Sequence, residues 1–304
     1  LWRGRISSPV RSSLWMAGGR SFDMSRTVPQ RIVSLTCSNT EILFALGLGA
    51  RVVGVDDWSD FPREVRSLPK VGPDLKIDMT KVAALEPDLV LASLSVPGME
   101  RNLPGLERLG VPFLVLEPKS LDDVFEDIET ISAATGASEA GRRLIADLQA
   151  RIEAVRARAR EALDRPTLYW EWWPKPLISP GRLSWILQMS ELAAADLLFK
   201  DVEATSFVVQ ESQVFEQDPD LVMLCWCGTL QEKMSVSKVH ERPGWEGLRA
   251  VKQAQIHCFP EDLFGRPGPR LVEGLERLAR VVHPALFVDT PATSSADACV
   301  EACQ

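Results

Sequence analysis

Tyr169-Trp170-Glu171-Trp172-Trp173 places three of the chain's nine tryptophans and its one tyrosine within five consecutive positions. Aromatic rings at that density serve either a buried strand or an apolar wall for a large flat ligand. Residues 168–172 read as a strand, in which neighbouring side chains face opposite sides. Tyr169 and Trp170, early in the run, are expected in the core. Trp172 and Trp173 lie where the chain leaves the sheet before Pro174, and are expected on the binding side. The other candidate groups are sparse. Asp56, Asp57 and Asp60 suit metal ligation, acid/base chemistry or loop capping, and capping is the commonest use of such acids. Cys225-Trp226-Cys227 has the look of a metal pair, but no second Cys or His pair follows at zinc-site spacing, so no metal site is expected. There are three histidines, His240, His257 and His283. A phosphate-binding loop, a nucleophile elbow and a HExxH helix are all missing, and Gly47-Leu48-Gly49 closes a helix where a dinucleotide fingerprint would open one. These features argue against an enzyme and for a binding protein.

Those residues need elements to hold them. Arg31–Leu35, Val52–Val55, Leu89–Ala92 and Phe113–Leu116 read as short apolar strands with helical segments between, the alternation that gives a parallel sheet. From Ser138 to Leu163 the period changes. Leu144, Leu148, Ile152, Val155, Ala159 and Leu163 recur three or four apart, predicting one amphipathic helix about 39 Å long. Strand–helix alternation resumes after Pro166. Glu86-Pro-Asp-Leu-Val-Leu-Ala-Ser93 is echoed by Asp218-Pro-Asp-Leu-Val-Met-Leu-Cys225, in the same order relative to the flanking elements. The expected fold class is therefore α/β, with two Rossmann-like lobes of parallel sheets joined by one long α-helix. The predicted boundaries are a disordered arm or mis-assigned start at 1–29, an N-terminal lobe at 30–137, the linking helix at 138–165, a C-terminal lobe at 166–284 and a loose acidic tail at 285–304.

In open parallel sheets ligands sit beyond the carboxyl ends of the strands. The loops there carry Trp58, Trp172, Trp173 and Trp226, which are expected to line a cleft. Gly265-Arg266-Pro-Gly-Pro-Arg270 runs into a helix, and two readings of it stand. Its arginines hold a phosphate or carboxylate at the helix start, or they brace a rigid connector. Composition narrows the partner class: 304 residues with a net charge of −8 suit no nucleic acid. No apolar run reaches the roughly 18 residues of a membrane span. Five arginines and one acid mark the first 29 residues, and no export signal is legible there, so a cytoplasmic chain is expected.

RIVSLTCSNTEILFALGLGARVVGVDDWSDFP (31–62) and LEPDLVLAS (85–93), with RPGWEGLRAVKQAQIHCF (242–259) and RPGPRLVEGLERLARVVHP (266–284), resemble the helical-backbone substrate-binding proteins of vitamin B12 and iron-chelate ABC importers. The cobalamin-binding branch is the most similar. The resemblance implies no intrinsic cofactor, a corrinoid or ferric chelate held in the inter-lobe cleft, and an ABC permease as the partner. It places Trp58 at a cleft aromatic; Trp172, Trp173, Trp226, Phe264 and Arg266, from this chain's own loops, are the further ligand contacts expected. Where the family has further tryptophans this chain has Asp74 and Ser93. Where each lobe of the family presents a permease-docking glutamate, it has Thr80 and Ser212, with Glu211 beside the latter. A cytosolic corrinoid or chelate carrier working without a permease is the alternative.

Overall fold

The computed structural model describes residues 13–15 and 28–288. They divide into two compact units, residues 1–148 with 267–269 and residues 149–266 with 270–304.

In the first unit the elements run β1 (Ser13–Trp15), β2 (Ile32–Ser34), α1 (Cys37–Ala45), β3 (Val52–Val55), α2 (Met79–Ala84), β4 (Leu89–Ser93), α3 (Leu103–Leu109), β5 (Phe113–Leu116) and α4 (Leu121–Ala134). The sheet order is β1-β5-β4-β2-β3, parallel except for β1, which pairs antiparallel with β5. That edge strand lies within the segment expected to be a disordered arm; the rest of residues 1–27 lie outside the described residues. All of β4 is buried, as a strand covered on both faces by crossover helices must be.

α5 (Ser138–Ala159) crosses from the first unit to the second, the division falling after Leu148. At 22 residues it is about 33 Å long, shorter than its apolar period suggested. Leu163, the last position of that period, is fully exposed. With no surface there for it to bury against, nothing favours another turn, and Pro166 supplies no amide for one.

The second unit contains β6 (Thr167–Glu171), β7 (Trp173–Pro174), β8 (Leu177–Pro180), α6 (Trp185–Leu192), β9 (Asp196–Leu197), β10 (Ser206–Val208), α7 (Glu211–Gln217), β11 (Leu221–Leu224), α8 (Ser237–His240), α9 (Arg249–Lys252), β12 (Ile256–Cys258) and α10 (Leu271–Val282). Its parallel sheet runs β12-β11-β6-β9. A second, antiparallel sheet, β10-β8-β7, was not legible in the sequence. Of the tail, 285–288 are described and 289–304 lie outside the described residues.

The repeated Pro-Asp-Leu-Val has one physical job in both units. Asp88 accepts the N–H groups of Gln30 (2.7 Å) and Arg31 (2.9 Å), and its own N–H donates to the Arg31 carbonyl. Asp220 accepts the Thr167 N–H (2.8 Å), and its N–H donates to the Thr167 carbonyl. The residues two before them, Glu86 and Asp218, both take left-handed backbone, φ 46° and 41°, turning the chain from helix into strand. Each aspartate thus sets the start of one parallel strand against its neighbour.

α4 carries a charge that the fold leaves in an awkward place. Asp127 is buried, with its Oδ2 lacking a hydrogen-bond partner among the described residues. Burial, reinforced by the nearby Asp123 and Glu126 charges, pushes its pKa up to about 8. The protonated form is the one that fits the fold. Its contribution is fully present below the unfolded-state value of about 4 and is lost as pH rises through 8. Asp127→Asn should therefore melt higher than the unmodified chain at pH 8 and near equality at pH 4. Thermal melts across that range check this; equal pH slopes for both proteins would refute it.

Candidate functional site

In the first unit, the carboxyl ends of β2 and β3 meet in a buried polar relay. Thr40 on α1 donates its hydroxyl to Ser34 Oγ (2.9 Å) and sits 2.9 Å from Ser59 Oγ. Ser59 in turn donates to an Asp56 carboxylate oxygen, and the other accepts the Trp58 backbone N–H at 3.0 Å. Burial raises the Asp56 pKa. Ser59 and the Trp58 N–H oppose that shift, the Asp74 charge adds to it and Lys70 counters it. The aspartate thus caps its loop, the commonest of the three expectations. Its effect is to hold Trp58, 56% exposed, at the end of β3.

Trp58 does not stand alone. Asp74 has its pKa raised by partial burial, with hydrogen bonds from the Leu75 N–H and the Trp58 side chain pulling the other way. Leu75 and Val96 are also large apolar side chains left exposed. A Cβ at Gly98 would come within 3.4 Å of Leu75 Cδ2, so the loops after β3 and β4 are neighbours here. Loops otherwise polar thus carry an apolar surface with an indole on it.

In the second unit, both faces of the aromatic strand are covered, so Tyr169 through Trp172 are all buried, including Trp172, which was expected on the binding side. Tyr169 and Trp170 are fully buried. Trp170 packs on Phe264 and Phe259, with ring centres 5.0 and 5.5 Å apart. Trp172 is also buried, beside Trp185 at 6.1 Å. Trp173 faces the other way, 40% exposed, its indole N–H donating to the Lys175 carbonyl at 2.9 Å.

Glu171, which the sequence reading passed over, is the chemical centre of that stretch. It is completely buried and takes a bidentate ion pair from Arg242, at 2.6 and 2.7 Å. It also accepts the indole N–H of Trp226 (2.9 Å) and the Tyr169 hydroxyl (3.3 Å). Arg242 stacks on Trp245 at 4.6 Å and Lys238 lies 5.0 Å over Trp226. Burial lowers the Arg242 pKa, but the hydrogen bonds and charge of Glu171 raise it further. Trp226 is thereby a buried part of the core in this structure. The available clue was a charged residue in the middle of an aromatic strand, which must find a buried countercharge.

Phe264 is buried too, and its carbonyl accepts the Trp185 indole N–H at 2.7 Å. Of the two readings of the loop at 265–270, the bracing one describes what is seen. Arg266 pairs with Glu261 at 3.2 Å, and Arg270 with Asp262 at 3.0 Å and Glu273 at 3.7 Å. These acids already neutralise the positive charge an anion site would need. Thr80 is exposed in the first turn of α2, and Glu211 and Ser212 in the first turn of α7. Among the described residues no group of three or more His, Cys, Asp or Glu side chains is placed to hold a metal ion. Nor is any helix there long and apolar enough to cross a membrane.

Residues 32–263 match the family described as periplasmic binding protein. The chain belongs to that family. It is 30% identical over 264 residues to the ABC transporter substrate-binding lipoprotein YvrC of Bacillus subtilis, covering 85% of this chain and 82% of the relative. The periplasmic vitamin B12 binding protein BtuF of Vibrio cholerae superposes with a TM-score of 0.71 at 26% identity, covering 84% of this chain and 98% of its own. The periplasmic heme-binding protein RhuT from Roseiflexus sp. RS-1 gives 0.74 at 28% identity, covering 84% and 99%. These relatives are named as binding proteins, not enzymes. Their names lend no support to the cytoplasmic expectation, since one is a lipoprotein and two are periplasmic.

The Glu171–Arg242 pair generates a stability prediction. Arg242→Met strands a buried carboxylate and should cost about 3–5 kcal/mol, whereas adding Glu171→Gln removes the stranded charge and should recover most of it. Urea unfolding of the single and double variants measures both; a double variant no more stable than Arg242→Met would show that the charge is not the cause.

Proposed function

We propose that this chain binds a corrinoid or a ferric chelate with a broad apolar face, as the substrate-binding component of an ABC importer. The single observation carrying this reading is the state of Trp58 and Trp173, the two exposed indoles among the described residues. Both follow strands near their carboxyl ends, and the Trp173 ring N–H is engaged within the protein by the Lys175 carbonyl. Both rings are large apolar side chains left in contact with solvent, and that of Trp173 has no free donor. Ring faces recognise flat, polarisable or apolar groups, whereas small polar solutes are taken by converging donors and acceptors. The names of the relatives, vitamin B12 binding and heme binding, support the same ligand class.

A second reading keeps the ligand and removes the permease. Thr80 and Lys81 stand exposed on α2 and Ser212 on α7, with the Asp78 carboxylate occupied in capping α2. Glu211 is the acid left in the first turn of α7. Charge pairs across an interface set encounter rate and register, and this distribution offers few of them. Cell fractionation with sequencing of the mature amino terminus separates the readings. An extracytoplasmic protein favours the importer component; a cytosolic one favours the carrier.

Ligand binding itself is tested by titrating the intrinsic tryptophan fluorescence with cyanocobalamin, hemin and a ferric trihydroxamate. At least one should quench it saturably. Trp58→Ala should weaken that binding by about 1–3 kcal/mol, the loss usual for a contact aromatic. Unaltered affinity in Trp58→Ala would remove that ring from the site.

A further inference from the structure

The first unit contains a recess that the binding function does not use. Its volume is about 470 Å³, and Phe44 and Gly47 at the end of α1 line one side of it. Gly49 and Ala50, just before β3, and Glu64, Ser67 and Leu68 line the rest. α1 follows β2 and leads back to the start of β3, and those two strands are parallel. The recess therefore lies at the opposite end of the sheet from Trp58, which follows the end of β3. A Cβ at Gly49 would stand 2.6 Å from a Phe44 ring carbon, so the ring lies directly against the backbone there.

The electrical character of the recess has one sign. α1 carries no basic residue in its last turn, and the Ala45 and Leu46 carbonyls accept no backbone N–H among the described residues. Unmet carbonyls give a helix end a partial negative charge. Glu64 adds a full one, being exposed and in no ion pair among the described residues. Ser67 donates its hydroxyl to the Glu64 carbonyl at 2.8 Å, which leaves the hydroxyl oxygen as an acceptor. The face of the Phe44 ring is negative as well. Nearby arginines do not offset this. Arg51 donates to the Thr135 carbonyl at 2.8 Å and Arg66 to the Asp60 carbonyl at 3.3 Å. Neither they nor Arg63 line the recess.

We infer that this recess is a second binding site, independent of the chelate site, for a small organic monocation of the aryl- or alkylammonium class. The ammonium is matched by Glu64 and the carbonyl end of α1, and the apolar body by Phe44 and Leu68. A space of this size takes a whole small molecule. One carboxylate is too few ligands for a hard metal ion, and it balances one positive charge, not the several of a polyamine. An anion would meet its own sign of charge on every polar wall.

Saturation-transfer NMR on the full chain tests this with benzylammonium and its uncharged isostere, benzyl alcohol, at neutral pH. The cation should bind saturably and roughly three- to fivefold more tightly than the alcohol at low salt, the gap narrowing as salt screens the charge. Glu64→Gln changes an exposed side chain and should melt like the parent, yet raise the ammonium Kd by that same factor. Gly49→Ala should weaken both probes, because its Cβ displaces the Phe44 ring. Glu232, an exposed acid of the second unit, is the control, and Glu232→Gln should change nothing. Trp58→Ala should leave ammonium binding intact, so this site and the chelate site fail separately. Equal affinity for cation and alcohol, an unaltered ammonium Kd in Glu64→Gln, or no saturable binding of the cation would each overturn the inference.

Discussion

The constraint on which the rest of the structure depends is a carboxylate at the start of a strand. Asp88 and Asp220 each accept amide protons from the neighbouring parallel strand and return their own amide to its carbonyl. A parallel pair has no hairpin to set its register, and a slip of one residue would turn every buried side chain outward. Anchoring β4 against β2 and β11 against β6 at their beginnings determines where they end. Trp173 is displayed just beyond the end of β6.

Both candidate faces then rest on buried acids used in different ways. In the first unit, Asp56 is kept within a relay of hydroxyls and amides, so its capacity to accept hydrogen bonds is spent on the loop that holds Trp58. In the second, Glu171 is fully ionically paired with Arg242, and Trp226 and Tyr169 complete its shell. Removing a charge from water is expensive unless every acceptor site is filled. The neighbours of Glu171 are accordingly all donors. This explains why an aromatic stretch contains a carboxylate at all. It fixes the end of β6, and with it the point at which Trp172 turns inward and Trp173 outward.

Much of this was legible in the sequence because its causes are local. Apolar runs bounded by turn residues located the parallel strands, and the repeat of Pro-Asp-Leu-Val announced two like units. The periodicity of α5 gave the helix but overran its end, because a period says where a stripe continues and not whether anything lies beneath it. Leu163 continues the stripe into solvent. Alternation along β6 correctly assigned Tyr169 and Trp170 to the core. Trp172, taken for an outward ring, is buried, since the strand ends at Glu171 and the chain turns there toward β7. The antiparallel sheet escaped notice because β7 and β10 have two and three residues, too few to show a period. The two readings of the arginines at 265–270 could not be separated in the sequence because their acidic partners, Glu261, Asp262 and Glu273, lie outside that loop.

Asp74 is where the chain's departure from its family acquires a physical meaning. The resemblance puts a tryptophan at that position, and here a carboxyl group stands beside Trp58 instead. Replacing a ring by an acid reduces the apolar area beside Trp58, and the partial burial that raises the Asp74 pKa works against the acid's own charge. Covering that loop with a further apolar surface would raise it more, so the departure from the family replaces a ring contact with a group whose ionisation is coupled to how far the loop is desolvated.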